Sequence, residues 1–117
     1  MNREYQKNSY IALYNVIDDY YKKDKNEHIA NLASDMCPYT FKDSNSADPA
    51  TYEDFLDCLN YCYSETEKMD ITTAFKASIK FLEMYRDEFG FEIQKVIDDI
   101  SLKEYETIFT EISKDES

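Results

Sequence analysis

The residues best suited to chemistry by type are three cysteines and one histidine, but their spacing offers little. Cys58 and Cys62 lie one helical turn apart, and Cys37 and His28 are the only other soft ligands. A zinc site commonly uses the spacing C-x-x-C, which is absent. A cysteine on a helix flank is more often a small buried apolar residue. We therefore predict no metal and no cofactor, and nothing local supports a cysteine and histidine pair for nucleophilic catalysis.

Carboxylates are plentiful, but their spacing does not indicate a catalytic pair. Asp18 and Asp19 are adjacent, as are Asp98 and Asp99, and adjacent helical residues point about 100° apart. A single glycine in the chain excludes a glycine-rich phosphate loop and a dinucleotide fingerprint. No E-x-x-H pair of a di-iron bundle is present. We predict that the protein is not an enzyme, and the alternative is a small helical enzyme that uses carboxylates and a metal.

The charge of the chain indicates the kind of partner. The 117 residues include 25 acidic and 13 basic side chains, a formal net charge of −12. This charge repels phosphate backbones and anionic membranes, so we expect no direct nucleic-acid or membrane binding. A basic protein would be attracted and steered at long range. Acidity that only keeps the protein soluble is the alternative explanation.

The N-terminal sequence and the cysteine count indicate a compartment. MNREYQKNSY has no apolar core of a signal peptide, and no apolar run approaches 18 residues. Three cysteines cannot all pair within one chain. We expect a cytoplasmic protein with reduced thiols.

Helical spacing of apolar residues along most of the chain predicts the fold class. One glycine and two prolines leave few strand and turn signals. We predict an all-α fold, a compact single-domain bundle of five to six helices over residues 1–117, with an irregular loop at about 37–48 and a frayed tail at about 114–117. The predicted helices cover about 3–23, a short segment capped by Asn26, about 48–64, about 70–89, 91–100 and a last segment from Ser101.

Local signals set the helix ends and the inward faces. Asp48 and Pro49 form an N-cap followed by proline at the first helical position, Gly90 is a C-terminal stop, and Ser101 with Glu104 forms a capping box. Phe89 and Leu102 fall on predicted inward faces of the last long helices. In the irregular loop, Tyr39 and Phe41 are candidates to pin the chain to the core.

The helix after Asp48 has an acidic face. Glu53, Asp54 and Asp57 group opposite its apolar residues, and Tyr61 falls in the middle of this acidic face. A tyrosine supplies contact area at low entropy cost while the acids select a basic partner, so the face is a candidate interface. A solvated helix surface is the alternative.

The segment LASDMCPYTFKDSNSADPATYEDFLDCL resembles small immunity proteins of bacterial contact-dependent growth inhibition and polymorphic toxin systems. In these, a short helix ending near an Asp-Met pair leads through a turn-rich loop into S-A-D-P-A, an aromatic residue, acids and a second aromatic. Tryptophan is frequent at the aromatic positions of that family, whereas this chain has none. The matching residues are Asp35, Met36, Ser46, Ala47, Asp48, Pro49, Ala50, Tyr52, Glu53, Asp54 and Phe55.

The resemblance implies a cytoplasmic protein that binds a cognate toxin domain, often a basic nuclease, and blocks its active cleft. The S-A-D-P-A stretch itself is expected to build the helix start, because a toxin-facing surface should differ between cognate pairs. An acidic nucleic-acid mimic or regulatory adaptor that binds another basic protein is the alternative. The candidate contact residues are Glu53, Asp54, Asp57 and Tyr61, followed by Asp18, Asp19, Asp43 and Asp98.

Overall fold

Six α-helices make up the regular structure of residues 1–39 and 46–115, the parts of the chain that the computed structural model describes; for Asp115 this is the backbone only. No strand occurs in these two ranges, which confirms the predicted all-α class. The helices are α1 (Arg3–Lys23), α2 (Glu27–Met36), α3 (Pro49–Thr66), α4 (Ile71–Phe89), α5 (Gln94–Asp99) and α6 (Leu102–Asp115).

The helices begin where the sequence places short polar side chains. The Asn26 carboxamide oxygen accepts the His28 backbone N–H at 2.7 Å. Asp48 caps α3 by accepting the Ala50 N–H at 3.0 Å, and Pro49 occupies the first helical position. Each cap satisfies a backbone donor that has no partner within its own helix. These local starts explain why the first four helices lie within two residues of their predicted bounds.

The core lies around α1, which packs against α2, α3, α4 and α6. Tyr105 of α6 is fully buried, and its hydroxyl donates to the Ser9 carbonyl of α1 at 2.8 Å. Between α3 and α4 the rings of Phe55 and Phe81 meet edge to face, 5.8 Å apart. Helix α6 is therefore held on α1 by a buried hydrogen bond, and the α3–α4 hairpin by aromatic packing.

Three predictions about the second half of the chain are wrong. Helix α5 covers only Gln94–Asp99, because the Phe91 N–H donates to the Tyr85 carbonyl and thereby closes α4. Phe89 and Leu102, predicted to face inward, are exposed. The last helix continues to Asp115, and residues 116–117 of the tail predicted to fray at about 114–117 lie outside the described residues.

Backbone hydrogen bonds fix both described ends of the predicted 37–48 loop. The Ala47 N–H donates to the Cys37 carbonyl at 2.9 Å, and the Asp48 N–H donates to the Asp35 carbonyl at 2.9 Å. The ring centroids of Tyr39 and Tyr14 lie 6.0 Å apart, but Tyr39 is 68% exposed. Tyr39 therefore does not pin the loop to the core, contrary to the prediction. The predicted roles of Phe41 and Asp43 lie outside the described residues.

Candidate functional site

The S-A-D-P-A stretch has a structural role in this fold. Ser46 is buried, and its hydroxyl lies 2.6 Å from the Asp35 carbonyl and 2.9 Å from the Tyr10 hydroxyl. Because the Ser46 proton goes to the carbonyl, Tyr10 is the donor to Ser46. Ser46 thus joins the end of α2 to α1, and Asp48 starts α3. This agrees with the expectation that the stretch builds the helix start.

Helices α3 and α4 form an antiparallel hairpin that sets the position of the acidic face. Thr66 lies beside Thr73 near the turn, whereas Asp54 lies beside Tyr85 toward the other end. Helix α3 contains four acidic residues and no lysine, arginine or histidine. Its exposed side therefore has uncompensated negative charge from its own sequence.

The three predicted acids on this face differ in their surroundings. Glu53 and Asp57 are exposed, and among the described residues neither has a hydrogen-bond or ion-pair partner. Asp54 is only half-exposed and accepts the Tyr85 hydroxyl at 2.9 Å. Burial raises the pKa of Tyr85, and the Asp54 carboxylate adds to the rise, so the phenol keeps its proton. Asp54 is held in place, while Glu53 and Asp57 are available to a partner.

Tyr61 is exposed, as predicted, but carboxylates are not its only neighbours. Its side chain is 52% exposed, and the Lys80 ammonium lies 4.2 Å from the ring centroid, a cation–π contact. Lys80 also lies close enough to Cys58 and Cys62 to oppose the rise of their thiol pKa values. The part of the α3 face nearer its C-terminus is thus flanked by positive charge from α4, which the α3 sequence could not reveal.

The weaker candidates lie on other helices and have their own partners. Asp18 and Asp19 pair with Lys22 of α1 at 3.5 and 3.9 Å. Asp98 accepts the Gln94 amide of α5 at 2.9 Å. No hydrogen bond or ion pair within the described ranges joins these acids to those of α3, and Asp43 lies outside the described residues. Among the candidate acids that the structure describes, Glu53 and Asp57 are the two without a hydrogen-bond or ion-pair partner.

Phe89 is an exposed aromatic residue that the sequence analysis assigned to the core. It is 55% exposed, and its ring packs edge-on against Tyr85 at 4.8 Å. The position of Phe89 just before Gly90 is a local signal for exposure, because side chains at a helix end can lie beyond the neighbouring helix. The four-residue periodicity from Tyr85 to Phe89 hid this signal.

Two of the candidate soft ligands are buried, and a third is hydrogen-bonded to the backbone. Cys58 and Cys62 are buried, and burial raises the pKa of the Cys58 thiol to about 11. The Nδ1 atom of His28 accepts the Glu92 backbone N–H at 2.7 Å. In the part of the chain that is described, no three His, Cys, Asp or Glu side chains form a group that could hold a metal ion.

The surface groove between α1 and α6 is lined by charges of both signs. The groove between α1 and α6, about 630 Å³, is lined by Lys22, Lys23 and Lys103 together with Asp19 and Glu104. Opposite charges along one open groove do not define a ligand class.

Among the described residues, no helix has the length and apolarity needed to cross a bilayer.

Comparison of the chain with protein-family models, with curated proteins and with solved structures finds no match.

Proposed function

We propose that this chain is an immunity protein that binds a cognate toxin domain and blocks its active cleft. The observation that carries the proposal is the exposed side of α3, where Glu53 and Asp57 have no partner among the described residues. Helix α3 itself contributes no positive charge. A carboxylate with no internal partner can pair with Lys or Arg of another protein without first breaking a bond.

The expected toxin domain is basic, and a nuclease is the leading class. An enzyme that holds nucleic acid concentrates Lys and Arg in its cleft to neutralise phosphates. The acids of α3 present negative charge to such a cleft, and the net charge of −12 steers the encounter. Both proteins would meet in the cytoplasm, where the toxin's substrate lies. Neutralisation by this mechanism needs no catalytic group and no cofactor in the immunity protein.

The same acidic surface also suits an acidic nucleic-acid mimic or regulatory adaptor that binds another basic protein. Only the identity of the partner separates the two functions. A basic toxin domain encoded next to this chain favours immunity. A DNA- or RNA-binding protein of the same cell as the sole specific partner favours the adaptor.

Co-expression with the neighbouring toxin domain tests the proposal. The toxin domain is expressed alone, with this chain, and with a charge-reversed chain carrying Glu53→Lys and Asp57→Lys. We expect the native chain to restore growth and to co-purify with the toxin domain, and the charge-reversed chain to protect less. Absence of both a complex and protection by the native chain overturns immunity. Full protection by the charge-reversed chain removes the α3 face from the mechanism.

A further inference from the structure

The C-terminal end of α4 presents an aromatic side chain on a rigid support. Gly90 adopts a left-handed conformation with φ of 71°, and the N–H groups of Gly90 and Phe91 both reach the Tyr85 carbonyl. Both N–H groups thus share one acceptor at the end of α4, and the Tyr85 and Phe91 rings are in contact, with their centroids 5.6 Å apart. Phe91 therefore folds back onto Tyr85, while Phe89 projects into solvent.

Tyr85 connects this helix end to the acids of α3. Its hydroxyl bonds Asp54, and its ring lies between Phe89 and Phe91. Helices α3 and α4 run in opposite directions. Phe89 lies one turn after Tyr85, so it lies beside the residues one turn before Asp54, which form the first turn of α3. Pro49 and Ala50 in that turn are themselves exposed and leave the Phe89 ring open.

The Phe89 and Tyr61 rings differ in the charged groups near them. Glu88 precedes Phe89 in the chain and is exposed. The nearby cation, Arg86, is already engaged by Asp87 at 2.7 Å and by Gln94 at 2.7 Å. Tyr61, by comparison, lies under the Lys80 ammonium. Of the two exposed aromatics on the hairpin, only Tyr61 has a cation over its ring among the described residues, so Phe89 offers the more open apolar area.

We infer that Phe89 is the apolar anchor of the docking surface and enters an apolar depression rimmed by Lys and Arg on the toxin domain. The inference rests on the proposed function and specifies which end of the hairpin makes the contact. An aromatic side chain that is buried near the centre of an interface, within a ring of contacts that exclude water, is a frequent form of binding hot spot. The Gly90 turn and the Tyr85 contact hold Phe89 in place before binding, so little ordering is needed.

Affinity measurements on three variants test the inference, with a catalytically inactive toxin domain as the probe. Phe89→Ser removes the anchor, Phe89→Leu keeps apolar volume, and Tyr61→Ser removes the other exposed aromatic of the hairpin. We expect Phe89→Ser to raise Kd at least about 30-fold, and each of the other two variants to change it less than about 5-fold. Circular dichroism and thermal unfolding of each variant show that it is folded.

The outcomes separate this inference from the proposed function. If native chain and toxin domain form no complex, both are wrong. If they form a complex that Phe89→Ser weakens less than about 3-fold, the anchor is wrong and immunity stands. A larger loss for Tyr61→Ser than for Phe89→Ser would move the contact to the Lys80 side of the hairpin and would also overturn the anchor.

Discussion

The Tyr85 hydroxyl donates a 2.9 Å hydrogen bond to the Asp54 carboxylate, across the α3–α4 hairpin and 31 residues along the chain. This bond divides the acids of α3 into two kinds. Asp54 contributes to the stability of the hairpin, whereas Glu53 and Asp57 are exposed and contribute charge. Substitution of Asp54 therefore changes folding and binding together, and it is a poor probe of the interface.

Because Asp54 is hydrogen-bonded and its two acidic neighbours are not, substitutions at these positions should affect stability differently. We expect Asp54→Ala and Tyr85→Phe each to lower the free energy of unfolding by about 1 to 2 kcal/mol, since each breaks a hydrogen bond to a charged group. Glu53→Ala and Asp57→Ala should change it by less than about 0.5 kcal/mol. Urea unfolding of the four variants checks this. Additive effects of Asp54→Ala and Tyr85→Phe in the double variant would show that the two side chains are not coupled.

The buried Ser46 hydroxyl gives a second stability prediction. Ser46→Ala removes the group that accepts from the Tyr10 hydroxyl, and it should lower the free energy of unfolding by about 1 to 3 kcal/mol. Adding Tyr10→Phe to Ser46→Ala should cost little more, because no buried hydroxyl is then left unpaired. Denaturant unfolding of the single and double variants measures the coupling. Two independent, fully additive losses would contradict the Tyr10–Ser46 bond.

Glu67 and Gly90 each end a helix in the left-handed conformation. Introducing glycine at position 67 and removing it at position 90 should therefore change stability in opposite directions. Glu67 ends α3 at φ 56°, where a side chain is strained and an acid faces the negative end of the helix dipole. Glu67→Gly should therefore raise the free energy of unfolding by about 0.5 to 1 kcal/mol. Gly90→Ala should lower it by about 1 kcal/mol from backbone strain, since open space surrounds the added Cβ. Destabilisation by Glu67→Gly in thermal unfolding would contradict the strain at Glu67.

The Asp70 cap of α4 predicts a dependence on pH. The Thr73 backbone N–H donates to its carboxylate at 2.8 Å, and this bond lowers the pKa of Asp70. A carboxyl whose folded-state pKa is lowered stabilises the fold above its unfolded pKa of about 3.9, and the effect is lost as pH falls through the lower folded-state value. Asp70→Ala should thus cost about 1 kcal/mol at pH 7 and less below pH 4.

Asp70→Asn is the matched control, because asparagine caps a helix without titrating. Its stability relative to the native chain should improve as the pH falls below about 4, because the stabilisation from the Asp70 charge is lost progressively between the unfolded-state pKa and the lower folded-state pKa. Unfolding curves at several pH values provide the test. A constant difference between native chain and Asp70→Ala from pH 7 to pH 3 would show that the Asp70 charge does not contribute.

The features predicted correctly from the sequence are those set by residues close together in the chain. Asn26, Asp48 and Asp70 start helices through bonds to N–H groups two or three residues away, so the signals are local. Ile29 and Met36 are both buried, and their separation of seven residues within one short helix places them on the same face.

The errors concern relations between helices. Phe89 shares the periodicity of the α4 core, and its exposure depends on how far the first turn of α3 extends beside it. Lys80 comes from α4, so a wheel drawn for α3 alone surrounds Tyr61 with acids. The Tyr85–Asp54 bond likewise joins two helices. Sequence periodicity gives the face of a helix but not which residue of its neighbour lies opposite.

The rate at which charge-reversed chains associate with the neighbouring toxin domain is the most direct test of the central claim. The test variant carries Glu53→Lys and Asp57→Lys, and the matched control carries Glu106→Lys and Glu111→Lys on exposed sites of α6. Both variants have the same net charge, so a difference between their association rates reflects the position of the substitutions. At low ionic strength, we predict that association slows at least about 10-fold for the α3 variant and less than about 3-fold for the control. Equal slowing of both, or no slowing of either, would contradict binding through the α3 face.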